Sequence, residues 1–139
     1  MNPEISPEMS PEMSPEMSPE MSPEMSPEQQ NAQVIDHLVE AYNRQDARAF
    51  ANLFTENAVH GLLHSEVQQR SRQEIFERYV EVFRMYPENK TEVVHRIVFG
   101  SFVIDHEKVT RSSSSEPFDV IAIYTLESGL ISRLEFVRS

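Results

Sequence analysis

Residues 34–59 read VIDHLVEAYNRQDARAFANLFTENAV, and this stretch decides the fold. Apolar side chains recur in it at helical spacing, which predicts one buried helical stripe formed by Val34, Ile35, Leu38, Val39 and Tyr42. The polar residues 43–46 end that helix, and Asp46 is suited to cap the next one. A short second helix is predicted with Phe50, Leu53 and Phe54 on its inner face. Residues 55–57 break it, and a strand begins at Ala58.

Working outward, both flanks of this stretch carry helix and strand signals. Ser26, Pro27 and Gln29 form a helix start upstream, and Ser71 with Glu74 forms a second capping box downstream. The rest alternates like strands, which we predict over residues 91–99, 102–109, 118–126 and 130–137. The order predicts an α+β fold, a cone-shaped barrel with three N-terminal helices packed on a strongly curved, mostly antiparallel sheet. Such a cone has a ligand pocket in its mouth.

The first 28 residues differ from the rest. Residues 3–28 contain five copies of PEMS, with seven glutamates and no basic residue, so −7 of the net charge of −11 lies there. A proline at every fourth position prevents a continuous helix, and one methionine per repeat buries too little apolar surface to order the segment. We predict a disordered acidic tail over 1–28 and one domain over 29–139. A role in phosphorylation at Ser-Pro or in partner binding is the alternative to a merely solubilising tail.

Composition limits the function classes. The chain has no cysteine, no apolar run long enough to span a bilayer and no signal-peptide pattern, so we expect a cytoplasmic protein. An acidic domain with scattered arginines argues against nucleic acid or an anionic membrane as partner. Only three glycines occur, and no phosphate-binding loop or nucleophile elbow is present. We expect no cofactor and no metal.

Several segments resemble the nuclear transport factor 2-like superfamily, most closely its SnoaL-like and ketosteroid-isomerase-like bacterial members. They are AYNRQDARAFANLFTENAV, the helix beginning at Ser71, RIVFGSFVIDHE and the closing hairpin AIYTLESGLISRLEFVR. The resemblance covers about residues 30–138. Its motifs are specific for the fold and not for a reaction, because members include isomerases, dehydratases, cyclases and transport adaptors.

Asp119 is the strongest catalytic candidate in the sequence. The local pattern Pro117-Phe118-Asp119 resembles the site of the protonated oxyanion-hole aspartate of ketosteroid isomerases, a carboxyl kept neutral by its apolar surroundings. If Asp119 is buried among its apolar neighbours, desolvation raises its pKa. A strand-entry aspartate that bonds loop amides is the alternative. The same resemblance places Leu38 where those enzymes have a tyrosine and Leu62 where they have the general base, which argues against steroid isomerisation.

His60 could supply the missing base, because a neutral imidazole accepts protons near pH 7. Alternation puts His60, Leu62 and His64 on one strand face, although His64 could equally be exposed at the mouth. Besides His60 and Asp119, we expect a pocket lined by Tyr79, Phe54, Phe76, Phe83, Leu62, Ile123 and Tyr124; as a default such aromatics form core. A metal site of His95, His106 and a carboxylate lacks ligand spacing, and cross-strand polar pairs on the solvent or dimer face are the simpler interpretation.

Three functions remain open. The first is a cofactor-independent isomerase or dehydratase that moves protons on a hydrophobic carbonyl compound. The second is a non-catalytic module that binds a small hydrophobic molecule and forms a homodimer through its open sheet face. The third is an association domain that presents the acidic tail. The absent base and tyrosine favour the second.

Overall fold

The structure is a computed structural model that describes residues 25–139. The chain order is α1 (Pro27–Asn43), α2 (Ala47–Ala51), β1 (Phe54–Leu62), β2 (Val67–Gln69), α3 (Arg72–Met85), β3 (Lys90–Phe99), β4 (Phe102–Thr110), β5 (Phe118–Glu127) and β6 (Leu130–Arg138). The predicted α+β class is confirmed. The predicted tail falls mainly on residues outside those described, so that prediction stays open.

One six-stranded sheet runs in the order β2-β1-β6-β5-β4-β3. All neighbours are antiparallel except β1 and β6, which run parallel. The sheet has two free edges and does not close on itself, so the word barrel overstates it. Register shifts in β1, β3 and β5 mark bulges, which bend strands. The helices cover one face, with α1 over β3 and β4 and α3 against β1.

The local signals explain where the helices begin. The Ser26 hydroxyl accepts from the Gln29 amide while the Gln29 side chain accepts from the Ser26 amide, as the capping box predicts. Ser71 caps α3 through the Glu74 amide, and Asp46 caps α2 through the Ala49 amide. None of the helices in residues 25–139 is long and apolar enough to cross a membrane.

The second helix is shorter than its apolar pattern predicts. It ends at Ala51, and Phe54 already belongs to β1, where its side chain is fully buried. The predicted break at residues 55–57 is therefore part of the strand. The sequence misled because Phe50 and Phe54 are spaced like neighbours on a helix. Their rings do meet, at 5.5 Å between centroids, across the turn that joins α2 to β1.

An ion pair under α1 joins that helix to the sheet. Arg96 on β3 donates two hydrogen bonds to Asp105 on β4, at 2.7 and 2.9 Å, and a third to Asp36 on α1 at 2.7 Å. The Asp105 side chain has no solvent exposure. The paired carboxylates raise the pKa of Arg96, so the guanidinium keeps its charge. A buried carboxylate in this position depends on its cation.

We expect Arg96→Gln to lower the free energy of unfolding by about 3 kcal/mol or more, because it leaves the Asp105 charge buried and unpaired. Chemical denaturation measures this. Arg133→Gln is the matched control, since Arg133 contacts Glu135 at 3.5 Å on the sheet surface and such exposed pairs contribute about 0–1 kcal/mol. Equal losses in the two variants would contradict the role assigned to Arg96.

Candidate functional site

A cavity of about 160 Å³ lies between the helices and the covered face of the sheet. Its wall contains residues from all three helices and all six strands of the described part of the chain. Its polar side chains include Tyr42, His60, Tyr79, Glu107, Arg111 and Tyr124. Apolar cavities of about 150 Å³ hold a single benzene-sized molecule. The enclosed part of a ligand is therefore about the size of one ring.

Glu107 is the acid in this cavity. Successive inward positions of β4 are Val103, Asp105, Glu107 and Val109, all of them buried. The Glu107 carboxyl accepts a hydrogen bond from the Tyr124 hydroxyl at 3.0 Å and one from the Thr91 hydroxyl at 3.3 Å. Burial, and secondly the Asp105 charge, raises the pKa of Glu107 to about 7. Near neutral pH it is present both as acid and as carboxylate.

The two carboxyls on the covered face of β4 differ in their partners. Asp105 has the Arg96 guanidinium against both oxygens. Within residues 25–139, Glu107 has hydroxyl partners and forms no ion pair with a basic side chain. Hydroxyls can satisfy a neutral or an ionised carboxyl, whereas a guanidinium favours only the ionised form. Asp105 is thus a structural charge, and Glu107 is a group that can exchange a proton.

His60 and Tyr79 form a hydrogen-bonded pair in the cavity wall. The Tyr79 hydroxyl lies 2.8 Å from His60 Nε2, and His60 Nδ1 lies 2.6 Å from Gln69 Oε1. Because Oε1 only accepts, Nδ1 carries the proton and Tyr79 donates to Nε2. Burial lowers the pKa of His60 to about 4 and raises the pKa of Tyr79, so both are neutral at pH 7. Both ring nitrogens of His60 are therefore occupied by protein groups.

Tyr42 offers the cavity a hydroxyl donor. Its oxygen accepts a hydrogen bond from the Asn89 side-chain amide, so its own proton is not needed for that contact. Burial raises the pKa of Tyr42, and the nearby Arg111 guanidinium partly offsets the rise. Tyr42 stands one helical turn after Leu38, which the resemblance to ketosteroid isomerases places at their tyrosine position. Leu38 and Leu62 both lie in the cavity wall as apolar side chains.

The predicted burial of Asp119 is wrong. Asp119 lies on the uncovered face of β5, where its carboxyl contacts Lys108 and His106, each at 2.9 Å. These two partners lower its pKa, which is the reverse of the predicted shift. Alternation turns Phe118 and Val120 towards the cavity and Asp119 away from it. The apolar neighbours suggested burial, but β5 is apolar on both faces, so its sequence pattern does not show which face is covered.

The other predicted pocket residues divide into three groups. Leu62, Tyr79 and Tyr124 line the cavity, as does His60. Phe54 and Phe83 are buried in the core beside it, where they pack around Phe50. The remaining two do not line it: Phe76 lies under the Arg48 guanidinium at 3.7 Å, and Ile123 faces outward with Ile104. His64 is exposed in the turn after β1.

Glu107, Tyr42 and Arg111 line the cavity but were not predicted as site residues from the sequence. For Glu107 a signal existed, because Val103 and Val109 share its phase on β4 and mark that face as buried. The Asp105-His106-Glu107 run was instead interpreted as surface pairing. His95 and His106 are indeed cross-strand neighbours, and His106 pairs with Asp119. No group of three side chains suited to a metal ion occurs between residues 25 and 139.

The two shifted cavity groups act oppositely on stability. The unfolded chain protonates His60 near pH 6.5 and the folded chain near pH 4, so this site makes stability rise with pH between those values. The folded chain protonates Glu107 near pH 7 and the unfolded chain near pH 4.5, so that site makes stability fall with rising pH. Each contributes about 1.4 kcal/mol per pH unit within its window.

We therefore expect the two effects to cancel largely between pH 4.5 and 6.5 in the unsubstituted protein. Relative to it, the stability of Glu107→Gln should rise more steeply with pH, and that of His60→Gln should fall. Urea denaturation at a series of pH values measures both slopes. Parallel curves for the three proteins would contradict these pKa assignments.

Comparison with known proteins identifies the family. The profile of the SnoaL-like domain matches residues 35–134. An uncharacterised cystatin-fold protein from Novosphingobium aromaticivorans is 29% identical over 78% of this chain and 97% of its own, with a TM-score of 0.72. A proposed polyketide cyclase from Sinorhizobium meliloti is 19% identical over 76% and 94% of the two chains, with a TM-score of 0.66.

A proposed ketosteroid isomerase from Kribbella flavida is 18% identical over 79% of this chain and 78% of its own, with a TM-score of 0.67. The identities to these two proteins are low, so the likeness shows a shared fold alone and carries no information about the reaction. No curated protein sequence matches the chain. The profile match spans most of the chain, and the protein therefore belongs to the SnoaL-like domain family of the nuclear transport factor 2-like superfamily.

Proposed function

We propose that the protein binds a small, largely apolar carbonyl compound in the cavity and moves a proton on it without a cofactor. Glu107 is the group that takes and returns the proton. The observation that carries this proposal is a buried carboxyl with hydroxyl partners, facing a ring-sized cavity. Catalytic carboxyls near neutral pH need a raised pKa, and burial supplies it to Glu107.

The proposed step balances within the ligand and Glu107. The ionised Glu107 takes a proton from the carbon next to the carbonyl group. The electron pair of that C–H bond forms a C=C bond, and the negative charge passes to the carbonyl oxygen. Tyr42 donates a hydrogen bond to this oxygen, which stabilises the enolate. The protonated Glu107 then returns the proton to the same or another carbon, which gives back the ketone or an isomer.

His60 has a positioning role in this scheme. Its Nε2 accepts the Tyr79 proton, and its Nδ1 is held by Gln69, so neither nitrogen is free for a ligand. The pair fixes the Tyr79 ring against the Phe50 ring, with centroids 4.1 Å apart, and thereby shapes the wall. The small cavity argues against a steroid as ligand, because four fused rings exceed about 160 Å³.

We expect the protein to accelerate hydrogen–deuterium exchange at the α-carbons of cyclohexanone in D₂O, followed by NMR. Glu107→Gln should slow this exchange by about 100-fold or more, and Tyr42→Phe by about tenfold or more. Asp119→Asn is the control: it removes a carboxyl on the opposite face and should leave the rate unchanged. An unchanged rate in Glu107→Gln would favour the alternative, a pocket that binds without catalysis.

We also propose that the uncovered sheet face forms a homodimer. Two apolar rows lie on this face: Ile97–Ile104–Ile123 crosses β3, β4 and β5, and Phe99–Phe102 crosses β3 and β4. Phe99 is 76% exposed. Exposed patches of this kind mark association surfaces. The face also carries both signs of charge, in Lys108 with Asp119 and Arg133 with Glu135. In a second copy related by a two-fold axis, basic side chains of one copy can face acidic side chains of the other around the apolar rows.

We expect Ile97→Glu to weaken the dimer by about tenfold or more, because it places a charge in the apolar centre of the interface. Sedimentation velocity over a concentration series measures the dissociation. Val80→Glu is the matched control, since Val80 is 44% exposed on α3, away from the sheet face. A monomer at all concentrations, before any substitution, would refute the dimer.

A further inference from the structure

The cavity mouth is positively charged in a protein that is acidic overall. Arg78, Arg111 and Arg138 all contribute to the cavity wall, although the chain has only 12 lysines and arginines against 23 acidic residues. Within residues 25–139, none of the three forms an ion pair with a carboxylate, whereas Arg84, Arg96 and Arg133 do. Unpaired guanidinium groups around an apolar cavity attract anions.

Two of these arginines are held in place by aromatic rings. The Arg111 guanidinium lies 4.3 Å from the centre of the Tyr86 ring and 5.2 Å from that of Phe118. Arg138 lies 5.0 Å from the same Phe118 ring. Contacts of this kind occupy the flat faces of the guanidinium groups and leave their N–H edges to bind a ligand. Both groups thus converge on Phe118, which itself lines the cavity.

The position of Arg111 sets the shape of the ligand. Arg111 directly follows the end of β4 and lies four residues after Glu107, so in extended backbone the two Cα atoms are about 13 Å apart. Arg111 also lies close to the Tyr42 hydroxyl and is therefore directed towards the cavity. A ligand that reaches both Glu107 and Arg111 needs two separate polar groups on one ring-sized apolar body.

We infer that the substrate is a small keto acid, whose carboxylate binds Arg111 and Arg138 while its carbonyl end lies against Glu107 and Tyr42. The inference rests on the proposed function for the cavity and adds the anionic group. Arginine and carboxylate form paired, charge-assisted hydrogen bonds, which specify a planar anion. Phe118, between the two arginines, supplies the apolar edge of the same subsite.

The test uses three related probes, namely 4-oxocyclohexanecarboxylate, its primary amide and cyclohexanone. We expect the carboxylate to bind the full-length protein at least about tenfold more tightly than the amide, measured by calorimetry at low salt. Arg111→Gln and Arg138→Gln should each remove about tenfold or more of this preference. Arg133→Gln, on the other face of the sheet, should retain it. Arg111→Lys keeps the charge and should restore part of it.

Equal affinity for the carboxylate and the amide would overturn the inference, as would a preference that survives both arginine substitutions. Exchange of cyclohexanone protons is read in the same variants and distinguishes the two proposals. Glu107-dependent exchange without a preference for the carboxylate refutes the anion subsite and leaves the proton-transfer function. Arginine-dependent carboxylate binding without Glu107-dependent exchange refutes the catalysis and leaves the subsite.

Discussion

The alternation of side chains along β4 is the constraint on which the rest of the structure depends. It directs two carboxyls, Asp105 and Glu107, to the covered face of the sheet, where a lone charge is costly. The fold resolves the two differently. Arg96 neutralises Asp105 and at the same time ties α1 to the sheet through Asp36. Among residues 25–139, Glu107 has two hydroxyl partners and no basic one, so burial raises its pKa and favours the protonated form.

The same alternation explains what surrounds Glu107. The inward side chains of β5 place Tyr124 against its carboxyl and Phe118 at the mouth, while the outward ones, including Ile123, form the apolar surface. On β1, His60 is directed inward and fixes Tyr79. The proposed proton transfer therefore belongs to the covered face and the proposed dimer to the uncovered face, and a single sequence period separates the two.

Much of the fold could be predicted from the sequence because its signals are local. Ser26 and Ser71 sit in capping patterns, and Gly100 and Gly129 mark the hairpin turns, with positive φ of 59° and 84°. The site was harder because it depends on which strand face is covered. On β5 both faces are apolar, so the sequence pattern does not show on which face Asp119 lies. The partners that bind its carboxyl on the uncovered face, Lys108 and His106, come from another strand. The inward direction of Glu107 could be predicted from the alternation along β4. Its raised pKa could not, because that depends on burial and on Arg96 packing against Asp105 and not against Glu107.

The account's central claim is that Glu107 exchanges its proton near neutral pH. Carbon-13 NMR of the glutamate side-chain carboxyls, with the Glu107 signal assigned by its loss in Glu107→Gln, measures this most directly. The account predicts a titration midpoint near pH 7 for that carboxyl. A midpoint near 4.5, the ordinary value for glutamate, would contradict it.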